Sequence, residues 1–530
     1  MNVIYPRMKH LILLLLLIIF FHSTKTKAQE GTSYAISGRG GVATTFATDY
    51  QSLGINPANL GIRKSFRDPK ITIGSMETSL TFFAEALNRQ DLYNSVFKPA
   101  NSQFTYEDKV KAVDAFSNTD YSVNANILLF GTSISLPKKW GGIGFGIKDR
   151  ITTYINISEN ATELAFLGAA AQFFPELELS SGEVIDNPRF SGNSSAPQLT
   201  NEQFESIVRS GYGLTNNNSP ITPLTYGEVL DGSHISANWY REFNLSYGVQ
   251  LIDSYDFELY IGSGVRYLMG LMMLDIKAEN NELTRNYMAF SPSFGIQFGN
   301  DSGNVTGIAL NPEENKTIPQ LLANPTPIGG GIGLDFGIQM RIFRNLSLGA
   351  SITNLGEITW DADVRQFNAS GTLQQFIGLG YNNYNLLVTD GDFGFGGDSE
   401  SFETQPFDQK TLTIQLPTML RFGLSYEFFR LYHIGMDVIL PQNDAPGNLA
   451  APYYAIGGDF RPSKIWKLST GVNWGGNNGA KINLPLGITY IGRKGLYEAG
   501  IATQDISTYI ADLGNGSTFS LAFGFFRLKL

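Results

Sequence analysis

Side chains suited to acid–base or metal chemistry are sparse. Of four histidines, His10 and His22 fall in a presequence, leaving His234 and His433 far apart in the chain. That is little material for a histidine metal centre or a Ser-His-Asp relay, so the chain reads as a non-enzyme and implies no cofactor. The absence of cysteine removes disulfides, thiolate ligands, cysteine nucleophiles and the lipidated cysteine of a lipoprotein together. Asp390, Asp392, Asp398 and Glu400 offer hard oxygen ligands suited to calcium. Their spacing departs from an EF-hand loop, and a solvated Gly- and Asp-rich loop over 370–408 is the better reading, so no metal site is expected.

Two other constellations concern binding. The stretch "LAFLGAAAQFF" (164–174) places Leu164, Phe166, Leu167, Phe173 and Phe174 in one apolar, helix-like run with Pro175 as its stop. It reads either as a loop helix packed on its own loop or as an apolar groove for a hydrophobic solute or a partner. The second set is charged: Asp335, Arg341, Arg421, Glu427, Asp437, Asp459 and Arg461, joined by Lys148, Arg150 and Glu498. These sit at alternate positions of apolar runs and carry both signs.

The runs that hold those charges have period two. In "GGIGLDFGIQMRI" Ile332, Leu334, Phe336, Ile338, Met340 and Ile342 alternate with Gly333, Asp335, Gly337, Gln339 and Arg341. Such a dyad marks a strand with one face on lipid or a core and the other on polar surroundings. It recurs over 143–157, 244–251, 288–298, 346–352, 420–428, 432–440, 453–460, 468–474 and 483–492. Several runs reach the ~9–11 residues that a membrane strand needs, and Trp140, Trp239, Trp360, Trp466 and Trp474 lie near expected strand ends, as in an aromatic girdle. Hydrocarbon offers no hydrogen-bond partner, so only a sheet without edges can span it. The expected fold is all-β: a transmembrane antiparallel β-barrel of about 14 strands over residues 71–530. The greasy parity faces lipid and the mixed charges face the lumen, ion-paired around a plug. On that assignment Phe336→Arg is expected to cost far more than Asp335→Asn. The last strand, "FSLAFGFFRLKL", is apolar on both parities unless a bulge near Phe525 switches its face.

Bulk properties agree. Arg7 and Lys9 precede the apolar run Leu11–Phe21, too short to cross a membrane, for which about 20 residues are needed, and suited to a signal peptide spanning 1–29. A bacterial envelope protein can lack disulfides. The formal net charge of −10 becomes more negative without the presequence cations, which argues against nucleic acid as a partner. Charged residues make up 16%, with 57 Gly and 37 Phe, a composition poor in charge for a soluble domain. Helix-like runs within 83–118 and 158–235 are expected in loops on the outer side of the cell. Residues 299–329 fit no clean place in an up-and-down count and could hide a strand.

One early stretch is neither a good helix nor a good strand: "YQSLGINPANLGIRKSF" (50–66). Pro57 holds Asn56 extended and cannot donate to a ladder, and neighbouring glycines allow tight turns, so residues 30–70 can coil inside a lumen. With Asn56, Pro57 and Ala58 early in the mature chain, the stretch resembles the N-terminal hatch of the FadL/TodX outer-membrane transport family and Bacteroidetes relatives such as PorV. "GGGIGLDFGI" and "SITNLGEITW" also look like less-characterised barrels of this type. The resemblance implies the outer membrane of a Gram-negative bacterium, surrounding outer-membrane lipids, and passive, hatch-gated uptake of a hydrophobic small-molecule solute. The alternative is a PorV-like barrel that docks a secretion-system or surface protein partner.

Overall fold

The protein is seen in a computed structural model that describes residues 33–62, 70–88, 104–137, 140–190, 199–215, 221–294, 296–298, 308–310, 316–362, 364–367, 371–384, 404–406, 411–429, 431–449, 451–476, 482–510 and 518–530. The signal-peptide expectation and the Asp390–Glu400 stretch lie outside these residues.

Fourteen antiparallel strands form the wall: β1 (Ile71–Ser75 and Glu77–Ala84), β2 (Tyr121–Ser135), β3 (Gly142–Asn156), β4 (His234–Asp253), β5 (Phe257–Glu279), β6 (Gly329–Ile342) and β7 (Leu346–Trp360), followed by β8 (Leu412–Gln415 and Met419–Phe428), β9 (Tyr432–Pro441), β10 (Tyr453–Phe460), β11 (Trp466–Gly475), β12 (Leu486–Gly492), β13 (Tyr497–Thr503) and β14 (Thr518–Lys529). Each pairs with its neighbour in sequence, and β14 returns to both halves of β1, with Thr72 opposite Lys529 and Phe82 opposite Phe519. The sheet has no free edge. Tight connections at 136–141, 254–256, 343–345, 429–431, 461–465 and 493–496 all lie at one end, and the long ones lie at the other.

The alternation sets the faces as expected. Ile332, Leu334, Phe336 and Ile338 are exposed on the outside, while Asp335, Gln339 and Arg341 are buried on the inside. The last strand resolves its ambiguity through a bulge: opposite Glu498–Gly500 the register slips at Phe525–Phe526, both side chains face out, and Arg527 turns inward.

Three expectations are corrected. The stretch 288–298 is not a wall strand. Glu282–Phe290 pairs instead with Met272–Glu279, the part of β5 that rises beyond its pairing with β6, so 280–328 is one long outer connection, with a small hairpin of Ile296–Phe298 and Ile308–Leu310 inside it. The girdle is carried by Trp140, 69% exposed, and Trp466, but Trp360 is only 1% exposed and faces inward, packed with Leu268, Ile328 and Leu416. Arg461 is not in the lumen; it is exposed in the 461–465 turn, where β10 has already ended.

At the long-connection end, 104–120, the described residues of 157–233 and 371–384 fold into a cap. Helix α1 (Tyr106–Phe116) starts at a capping box between Thr105 and Asp108 and packs on α2 (Glu159–Leu167) through Phe116 and Phe166, whose rings are 5.2 Å apart. Helix α2 ends before Pro175: Gly168, at φ 54°, closes it and residues 176–179 are already a strand of a four-stranded sheet. Beneath these elements lies a hydrophobic core.

Candidate functional site

The barrel interior holds residues 33–62, nearly all of them buried. Three anchors tie this segment to the wall. Arg39 donates to both carboxylate oxygens of Asp459 at 3.1 and 3.3 Å, and Asp459 also accepts from Ser469 Oγ at 2.7 Å. One oxygen of Asp437 accepts from the Ala43 and Thr44 amides and the Thr44 hydroxyl, at 2.7 to 2.8 Å. Asp49 takes Arg527 at 2.5 Å, and Arg527 reaches on to Glu498 at 2.6 Å. Nearby, Tyr50 donates to Glu77, which a break in β1 at Met76, φ 54°, turns into the lumen. In a low-dielectric interior such pairs hold only when every charge is matched.

The Asn56-Pro57-Ala58 motif is the middle of this arrangement. Asn56 caps a 3₁₀ turn over Pro57–Gly61, its Oδ1 accepting from the Ala58 amide at 3.2 Å. Pro57 occupies the first position of that turn, where no amide proton is needed. The Asn56 amide donates to Thr44 O and to Ile338 O of β6, each at 3.2 Å, and Ser351 Oγ of β7 donates to Ile55 O at 2.5 Å. The wall makes room by omission. A Cβ on Gly262, Gly337, Gly423, Gly457 or Gly524 would stand 2.0 to 2.7 Å from atoms of the segment, closer than side-chain carbons approach. Much of the chain's glycine is therefore the inner surface of a close-fitting sleeve.

From the motif, contacts run to an irregularity in the wall. Gly54 lies against the Arg266 guanidinium. Arg266 donates two bonds of 2.8 Å to Asp335, and Asp335 accepts from the Asn354 amide at 3.0 Å. Asn354, at φ 62°, lies in a bulge of β7 opposite Leu334–Phe336. There the ladder between β7 and β8 is interrupted: β7 pairs with Met419–Tyr426 up to Thr353 and with Leu412–Gln415 from Glu357. Side chains span the gap, Asn354 donating to Pro417 O at 2.9 Å and Thr418 Oγ1 to Asn354 O at 3.0 Å, beside a single backbone bond from Leu416 to Gly356. On the outer face a depression of about 800 Å³ covers this seam, lined by Ile332, Ile352 and Leu355 below and Gln415, Gln442 and Asn443 above.

The charges named from sequence are mostly where the alternation puts them. Asp335, Arg341, Arg421, Asp437 and Asp459 are buried inside the barrel, Arg341 paired with Glu258 at 2.8 Å, whereas Glu427 is half-buried near the tight-turn rim. The partners that make them a network lie beyond the charges read from sequence: Glu77, Glu242, Arg266, Lys467 and Arg527. Arg266 and Glu242 sit on the inner parity of β5 and β4, a signal that alternation over 234–279 carries. The five apolar residues 164, 166, 167, 173 and 174 form no open groove. All are buried in the cap core, where Phe174 stacks on Phe376. His234 meets Asp275 at 3.0 Å, and His433 meets Ser425 at 3.2 Å and stacks on Phe46.

A sealed sheet with an apolar exterior and an ion-paired interior defines a membrane-spanning β-barrel of the outer-membrane type. The chain belongs to the DUF5723 family, a family of unknown function, whose model matches residues 214–491. No curated protein matches. Among solved structures it is similar to the Ralstonia pickettii toluene transporter TbuX (10% identity, 94% of this chain and 99% of that one, TM-score 0.38). It is also similar to the Pseudomonas putida toluene transporter TodX (11%, 96% and 100%, TM-score 0.37) and to a Pseudomonas aeruginosa FadL homologue (10%, 96% and 100%, TM-score 0.36).

Proposed function

We propose that this barrel mediates passive uptake of hydrophobic small molecules across the outer membrane of a Gram-negative bacterium, with residues 30–70 as a hatch and the β7–β8 seam as the exit through the wall. The observation that carries the reading is the interrupted ladder beside the Asn56 motif. A wall held there by side chains and one backbone bond parts more easily than a continuous ladder, and its outer face combines an apolar floor with a polar rim. The relay Gly54–Arg266–Asp335–Asn354 links hatch position to the seam. A solute would enter from the cap side, displace the hatch and leave sideways into the bilayer, never facing the charges at the tight-turn end.

The cysteine-free chain permits a direct test. Asn354→Cys with Pro417→Cys places a disulfide across the seam. Entry of N-phenylnaphthylamine into cells carrying this variant is expected to fall on oxidation and recover on reduction, and deletion of residues 33–62 is expected to raise both entry and pore conductance. Unchanged entry in the oxidised variant and in the deletion would sink the uptake reading. A stoichiometric protein retained from native membranes, with no bound lipid, would favour a docking barrel instead.

A further inference from the structure

We propose that the tight-turn rim is a docking surface for anionic glycerophospholipid headgroups in the leaflet it faces. The outer apolar band ends at this rim with Tyr426, Phe428, Tyr432, Trp466 and Tyr490, all exposed. Beyond the band, each turn adds one more large apolar side chain at its tip: Trp140, Tyr255, Phe343, Phe429, Ile465 and Leu496. Phe429 is 97% exposed and Tyr255 80%. Six such tips in water would be a standing cost, whereas the boundary between headgroups and acyl chains accommodates them.

Charge at the same level selects the headgroup. Arg344 follows Phe343, Lys464 precedes Ile465, and Arg461 and Arg493 lie in the turns that carry Ile465 and Leu496; all four are exposed. Arg344 has only a 3.7 Å contact with Glu258 and stands 5.8 Å from the Tyr255 ring. Lys464 and Arg493 make no ion pair among the described residues, and Arg461 makes none either, although its charge reaches Asp459. The exposed acids of the described turns, Asp253 and Asp256, flank a single turn, although the whole chain is at −10. The cap shows the opposite surface, with Glu183, Asp186, Glu202 and Glu205 exposed. Cations set beside apolar anchors at headgroup depth match a phosphate above acyl chains, and the acidic cap end does not.

Full-length protein in detergent, offered equal phosphatidylglycerol and phosphatidylcholine, tests the assignment by native mass spectrometry of retained lipid. Wild type is expected to keep phosphatidylglycerol by about tenfold over phosphatidylcholine, and the Arg344→Gln, Arg461→Gln, Lys464→Gln, Arg493→Gln variant by about twofold or less. Phe343→Ser with Phe429→Ser is expected to lower retention of both lipids. Heat-dependent gel mobility verifies that each barrel is closed; should the fourfold variant not fold, Arg461→Gln with Lys464→Gln, both in one turn, carries the comparison. Equal retention of the two lipids by wild type, or an undiminished preference in the folded variant, would overturn the proposal. So would displacement of the phospholipid by millimolar inorganic phosphate, which would mean a free-phosphate site.

Discussion

The cap and the barrel interior bury comparable crowds of side chains by opposite chemistry. In the cap, Phe116, Phe166, Phe174 and Phe376 pack with aliphatic neighbours, and the few buried polar groups, among them Lys109, Glu163 and Asn187, are set into that apolar core. In the barrel the apolar face is spent on lipid, so what remains for the inside is Arg, Asp, Glu, Asn and bare glycine. One interior is held by area removed from water, the other by ion pairs and hydrogen bonds among polar groups. The cap can tolerate a change of shape that keeps volume, while the lumen can tolerate neither a lost charge nor an added carbon.

Substitutions can break that contrast or sharpen it. Asp335→Ala leaves Arg266 buried with Glu242 as its remaining acid and should cost about 3 to 5 kcal/mol, measured by refolding in lipid. Asp335→Asn, expected from alternation alone to be cheap, removes the charge but keeps the shape and should fall between that value and a surface change. On the outer face, Phe336→Arg should cost about 2 to 4 kcal/mol if the site lies near the bilayer midplane. In the cap, Phe166→Leu should cost about 1 kcal/mol and be read as faster proteolysis of the cap with no shift in barrel unfolding. A cost equal to that of Asp335→Ala would erase the distinction.

The smallest effect is a pH dependence. Burial pulls the Lys109 ammonium down to about 8, although it donates to Leu379 O and Tyr381 O at 2.5 and 2.8 Å. Between that value and the ordinary 10.5 the unfolded cap binds more protons than the folded one, so raising the pH through this window should stabilise the cap. Lys109→Met should flatten the dependence in proteolysis rates taken across that range.

The wall was largely legible in the sequence because period two needs only local reading, and lipid enforces it strictly. The bulge at Phe525 was legible for the same reason: two apolar parities in one strand admit few other solutions. Alternation does not report height, however, so 288–298 reads as wall although its first residues end a strand, Glu282–Phe290, that pairs beyond the wall, and Trp360 reads as girdle although it faces inward. The motif at Asn56 was found by its dihedral restrictions, but its partners on β6 and β7 lie some 280 positions away in sequence, a pairing that only closure of the sheet creates. The abundance of glycine is plain in the sequence, but its role as an inner sleeve depends on contacts with a distant segment.

That sleeve bears on how the molecule is made. A cylinder this tightly moulded to its contents leaves no clearance for a finished plug to slide in, so residues 33–62 must already lie across the nascent sheet, still pliable, when β14 zips onto β1. The final seam of biogenesis then seals cargo and container in one event.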